Sequence, residues 1–128
     1  MSTIWPVLHY DDTARARRFL VEAFGLEEAL AVCDEQGEPV HVELRWPGGG
    51  ALVFGSTKHR GGVHDGLHAG AVYLSCGDVD AVHARASAAG AEIVEAPHET
   101  AFGSGEPTRA FSARDPERNL WTFGPYGR

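Results

Sequence analysis

The chain has 128 residues, 43% of them apolar and 23% charged, the composition of an ordinary globular domain long enough to bury a core without disulfides or a structural metal. No stretch approaches the ~18 consecutive apolar residues of a membrane span, and the first residues lack the basic-then-apolar order of a signal peptide, so a cytoplasmic protein without a membrane partner is expected. The net charge of −7 argues against nucleic acid, since Arg15, Arg17 and Arg18 lie among acids, and Cys33 and Cys76, isolated in apolar runs, read as reduced core residues.

In chain order, a short apolar run over 3–9 leads to Asp12, whose side chain suits the cap of a helix. Ala16, Phe19, Leu20, Ala23 and Phe24 follow at helical spacing, and Gly25 supplies the left-handed turn that stops the helix. Strands are predicted over about 28–34, 40–46 and 50–55, with Pro47-Gly48-Gly49-Gly50 as a turn. Residues 56–69, rich in Gly and His, read as a linker in which His59, His64 and His68 are solvated. The pattern then begins again. An apolar run over 70–76 precedes Asp78, a helix is marked by Val79, Val82, Ala86 and Ala89, and Gly90 ends it. Strands over about 92–96, 107–113 and 119–124 complete the second half, with a tight turn at 115–119 and a polar, glycine-containing loop over 97–107 that reads as a lid.

The two halves are copies. Asp12 superposes on Asp78, Gly25 on Gly90, Gly37-Glu38-Pro39 on Gly105-Glu106-Pro107, Pro47 on Pro116 and Phe54-Gly55 on Phe123-Gly124, in one order and with offsets between 65 and 69 residues. The expected fold is therefore α+β in a single domain. Two pseudo-symmetric β-α-β-β-β modules, about 1–55 and 70–128, should form one curved mixed sheet around a cleft.

Phe24-Gly25, Asp78-Val79-Asp80-Ala81, Ala89-Gly90-Ala91-Glu92-Ile93 and Asp115-Pro116-Glu117-Arg118-Asn119-Leu120-Trp121 make the chain resemble the vicinal oxygen chelate superfamily. That superfamily includes glyoxalase I, extradiol dioxygenases, fosfomycin-modifying enzymes and bleomycin-binding resistance proteins. Arg118 stands where the family usually has Gly, in a turn that favours a left-handed residue. The resemblance implies a homodimer. It also implies that metal-dependent relatives draw four ligands from an early and a late strand of each module, positions that fall here on Trp5, Val53, Ala71 and Thr122. Three apolar side chains and one hydroxyl do not make a transition-metal site, so no metal cofactor is expected, as in a metal-free, bleomycin-resistance-like branch.

The expected function is metal-independent binding of a small, partly aromatic or cationic molecule, with drug sequestration as the model. Trp5, Val7, His9, Val53, Tyr73 and Thr122 are expected to face the cleft, with Arg45 among its polar groups and Trp46, Phe54, Phe102 and Tyr126 at its rim. Trp121 and Phe123 alternate away from Thr122 and should pack in the core. The alternative is a glyoxalase-like lyase, isomerase or dioxygenase whose metal has moved to His9 with His41 or Glu43. No Ser or Cys lies in a nucleophile motif, and Gly48-Gly49-Gly50 precedes a strand, which excludes a phosphate-cradling helix start there.

Overall fold

In the computed structural model, which describes residues 4–59, 62–64, 69–100 and 107–125, both halves start with the same local device. The Asp12 carboxylate accepts from the Arg15 amide and that of Asp78 from the Ala81 amide, each at 3.0 Å, satisfying donors that a helix start leaves unpaired. These caps join β1 (Val7–Tyr10) to α1 (Thr13–Phe24) and β5 (Ala71–Ser75) to α2 (Val79–Ala88). Gly25 and Gly90, at φ 79° and 85°, close the two helices as expected. Each helix is followed by three strands: β2 (Glu27–Cys33), β3 (Pro39–Arg45) and β4 (Ala51–Ser56) in the first module, β6 (Glu92–Thr100), β7 (Thr108–Arg114) and β8 (Leu120–Gly124) in the second.

The strand orders β1-β4-β3-β2 and β5-β8-β7-β6 are the same arrangement written twice. Val7 lies beside Val53 and Tyr73 beside Thr122 in the parallel pairs, while Glu43 opposes Val53 and Ser112 opposes Thr122 in the antiparallel ones. The repeat thus holds at the level of register, where a slip of one residue would have turned every side chain over. One detail differs from the expectation: the modules do not merge into a continuous sheet but keep two four-stranded sheets. Side chains and turns, not a strand ladder, join them.

Leu8, Tyr10, Val42, Leu44, Leu52 and Phe54 from the first sheet meet Leu74, Phe111, Ala113, Trp121 and Phe123 from the second in a common core with Leu20, Ala23 and Phe24 of α1. The fully buried Trp121 and Phe123 confirm the alternation read from β8, and Cys76 is buried as expected, whereas Cys33 is exposed because it ends the edge strand β2. Phe111 and Phe123 stack at 4.9 Å, and Phe24 lies 5.0 Å from Phe123 and 5.2 Å from Trp121. Arg85 of α2 donates to the carbonyls of Glu22 and Val21 at 3.0 and 3.2 Å, covering the open C-terminal end of α1.

Two turns tie the modules together. In the turn after β7, the buried Asp115 accepts from Tyr10 Oη at 2.5 Å, Asn119 Nδ2 at 2.9 Å and Trp121 Nε1 at 3.0 Å, and from the amides of Glu117 and Asn119. Glu117 accepts from the amides of Asp11 and Asp12 at 2.6 and 2.8 Å. The corresponding turn after β3 reaches the other way, with Trp46 Nε1 donating to the Ser75 carbonyl at 2.9 Å. Arg118 adopts φ 74°, the left-handed conformation that its turn requires.

The lid expected over 97–107 is in part a strand, because β6 runs on to Thr100. Register shifts between Ile93 and Glu95 and between Glu95 and His98 leave Pro97 in a bulge of this edge strand, where its missing N–H costs no ladder bond. Residues 101–106 lie outside the described residues.

Candidate functional site

Each sheet turns one face to the common core, so the alternate residues form a second face directed away from it. On the first sheet, Val7, Val53, Glu43 and Leu30 form one row across the strands, and His9, Gly55, His41 and Val32 form the next. Gly55 leaves the floor bare between His9 and His41, and a depression of about 270 Å³ opens there, lined by Val7, His9, His41, Val53 and His64 among others. The His9 and His64 rings meet edge to face at 5.2 Å, and His41 Nε2 lies 3.0 Å from Glu43 Oε2. His64 is therefore not the solvated loop residue expected. It packs on β1, and its Nδ1 is buried without a hydrogen-bond partner.

On the second sheet, Tyr73, Thr122 and Ser112 form the row equivalent to Val7, Val53 and Glu43. The Ser112 and Thr122 hydroxyls are 2.8 Å apart. A Cβ on Gly124 would stand 2.5 Å from Tyr73 Oη and 3.1 Å from Ala110 Cβ, so glycine at this position is what lets the phenol lie across β8.

A larger cleft, about 690 Å³, lies between the modules rather than on either open face. Trp46, the glycines of the 47–50 turn, Tyr73, Leu74 and Ser75 line it, with Leu26 and Leu52 also contributing. Trp46 is held in its wall by the bond to Ser75 and by contact with Phe123 at 6.0 Å.

The residues expected to share one cleft are thus distributed. Val7, His9 and Val53 come together on the first sheet. Tyr73 and Thr122 are on the second, with Tyr73 also joining Trp46 in the cleft between modules. Arg45 is exposed at the end of β3, opposite Glu27 and Ala51. Trp5 precedes β1 with 38% of its surface exposed, Phe54 is fully buried in the core because it alternates with Val53 toward the inner face of β4, and Phe102 and Tyr126 lie outside the described residues. Sequence reasoning missed two participants. The linker around His64 has no periodicity from which its packing could be read, whereas Ser75 shares the parity of Ala71 and Tyr73 and was within reach.

Residues 5–123 match the family model described as the Glyoxalase/Bleomycin resistance protein/Dioxygenase superfamily. The chain belongs to this superfamily. Among solved structures, TioX from Micromonospora sp. ML1 is 29% identical with a TM-score of 0.75, over 97% of this chain and 98% of that one. A lactoylglutathione lyase from Agrobacterium tumefaciens has a TM-score of 0.66 at 20% identity, covering 100% and 98% of the two chains. The fosfomycin resistance protein FosX from Listeria monocytogenes has 0.63 at 15%, covering 97% and 92%, and these last two likenesses establish the fold alone. No curated protein matches in sequence.

The four positions onto which the resemblance carries the ligands of the superfamily's metal-dependent members do not fit a metal. Trp5, Val53 and Ala71 offer no donor, and the Thr122 hydroxyl is engaged with Ser112. Among the described residues no group of three or more His, Cys, Asp or Glu is arranged to hold a metal ion.

Proposed function

We propose that this superfamily member binds a small, partly aromatic or cationic molecule without a metal, as a drug-sequestering protein does. The observation that carries this reading is the chemistry of the two open faces. At the positions onto which the resemblance carries the superfamily's metal ligands stand Trp5, Val53, Ala71 and Thr122, while Val7, Leu30 and Val32 keep 46%, 44% and 45% of their surface exposed. Exposed apolar residues beside placed polar groups such as His9, His41, Glu43, Ser112 and Thr122 suit a small-molecule ligand. Val7, His9, Val53, Tyr73 and Thr122 line the proposed site, and Trp5, Arg45, Trp46 and Phe102 border it. Because the two faces turn away from one shared core, the proposal includes a cytoplasmic homodimer in which the first sheet of one copy faces the second sheet of its partner. The charge of −7 favours a cationic ligand at low salt.

The test is elemental analysis of the purified chain, followed by tryptophan-fluorescence titration with bleomycin and with fosfomycin, with and without EDTA. The expected result is no stoichiometric transition metal, and saturable binding of the cationic, aromatic bleomycin that EDTA does not alter. Trp5→Ala should weaken that binding about threefold to tenfold, the worth of one aromatic contact, with little change in folding. One tightly held metal per chain would overturn the reading. It would favour a glyoxalase-like lyase, isomerase or dioxygenase, for which the contact of His9 with His64 beside His41 and Glu43 is the supporting observation.

A further inference from the structure

We infer that the cleft between the modules, which meets the open face of the second sheet at Tyr73 and Ser75 but does not include the depression at Val7, His9 and Val53, is a second binding site for a neutral aromatic molecule bearing one hydrogen-bonding group. The argument starts from the repeat. The turns after β3 and β7 are equivalent, and each reaches across to the opposite module. In the second module that turn is Asp115-Pro116-Glu117-Arg118-Asn119, and its side chains fill the junction: Asp115 takes up Tyr10, Asn119 and Trp121, and Glu117 takes up the Asp11 and Asp12 amides. In the first module it is Trp46-Pro47-Gly48-Gly49-Gly50, which has no polar side chain beyond the tryptophan and leaves about 690 Å³ open at the equivalent junction. A volume of this size is in the range of sites for drug-sized molecules.

The chemistry of the lining defines the ligand. Trp46, Tyr73, Leu52 and Leu74 offer aromatic and aliphatic surface, and among the described residues no charged side chain lines the cleft. Its one unmet demand is the hydroxyl of Ser75, which is buried and has no hydrogen-bond partner, although the carbonyl of the same residue is held by Trp46. A buried hydroxyl in that state is destabilising until something bonds to it. An aromatic molecule with a hydroxyl or carbonyl directed at Ser75 would meet both requirements, whereas a small ion would leave the aromatic and aliphatic lining uncovered.

The probes are 2-naphthol and naphthalene, which differ by one hydroxyl, titrated into the full chain and followed by backbone amide shifts. The expected result is saturable shifts at Gly48–Gly50 and over β5, with 2-naphthol preferred about threefold to tenfold, the worth of one net hydrogen bond. Ser75→Ala should abolish that preference while leaving naphthalene binding unchanged. Gly48→Trp, at a turn position outside the left-handed glycines, should exclude both probes by filling the cleft. Shifts confined to Val7, His9 and Val53 would overturn this site and leave the open-face reading standing. A preference that survives in Ser75→Ala, or no saturation by either probe, would overturn it as well.

Discussion

Asp115 shows how much one side chain can organise: a single buried carboxylate gathers donors from β1, from its own turn and from β8. Its bond to Tyr10 has a consequence in alkaline solution, because burial first, and then the negative charge of Asp115, push the Tyr10 phenol above its ordinary value. The folded chain keeps that proton where the unfolded chain releases it, near pH 10, so the contribution is complete below that pH and is lost as the pH rises beyond it. Above pH 10 stability should fall by up to about 1.4 kcal/mol per pH unit from this group. Tyr10→Phe should cost about 1.5–3 kcal/mol at neutral pH, the value of a hydrogen bond to a charged group. Urea melts of both proteins between pH 7 and 11 should show that gap narrowing above pH 10, and a constant gap would show that Tyr10 ionises equally in both states.

The elements show where local chemistry suffices and where it does not. Both helix starts, both glycine stops and the inward parity of β1, β5 and β8 were legible, because capping and period-two alternation are written in neighbouring residues, whereas Phe54 of β4 turned inward to the core against the rim position expected for it. The left-handed turn at Arg118 was also anticipated from its position in the Asp115–Asn119 turn, and it carries a prediction. Any side chain with a Cβ at φ 74° costs roughly 1–2 kcal/mol that glycine does not, partly offset by the greater freedom of glycine in the unfolded chain. Arg118→Gly should therefore raise stability by about 0.5–1 kcal/mol, seen as a higher melting temperature at an unchanged denaturant m-value. What escaped the sequence depends on contacts between distant segments. The extension of β6 past Pro97 needs β7 beside it with a bulge, and the packing of His64 on His9 needs a turn between them whose course no periodicity encodes. The division of the candidate site between two faces likewise follows from how the modules share a core, which the repeat alone does not determine.

At the scale of the molecule, every strand pairs within its own half, while the bonds joining the halves connect residues far apart in the chain: Tyr10 and Asp115 are separated by 105 positions and Arg85 and Glu22 by 63. Contacts at such separation carry a larger loop-closure cost than hairpin contacts such as β3 with β4. The order of events in folding should follow from this difference, with each sheet forming first and the Asp115 junction closing after the rate-limiting step. Asp115→Asn keeps the shape of the side chain but weakens its bonds to Tyr10, Asn119 and Trp121, so it tests the order directly. Stopped-flow chevrons should show an unfolding rate raised at least tenfold and a refolding rate nearly unchanged. A slowed refolding limb would instead place the junction in the nucleus. If the junction closes last, it opens first, and the chain's resistance to irreversible loss at elevated temperature is set less by either sheet than by how long one carboxylate keeps hold of a tyrosine in the other half.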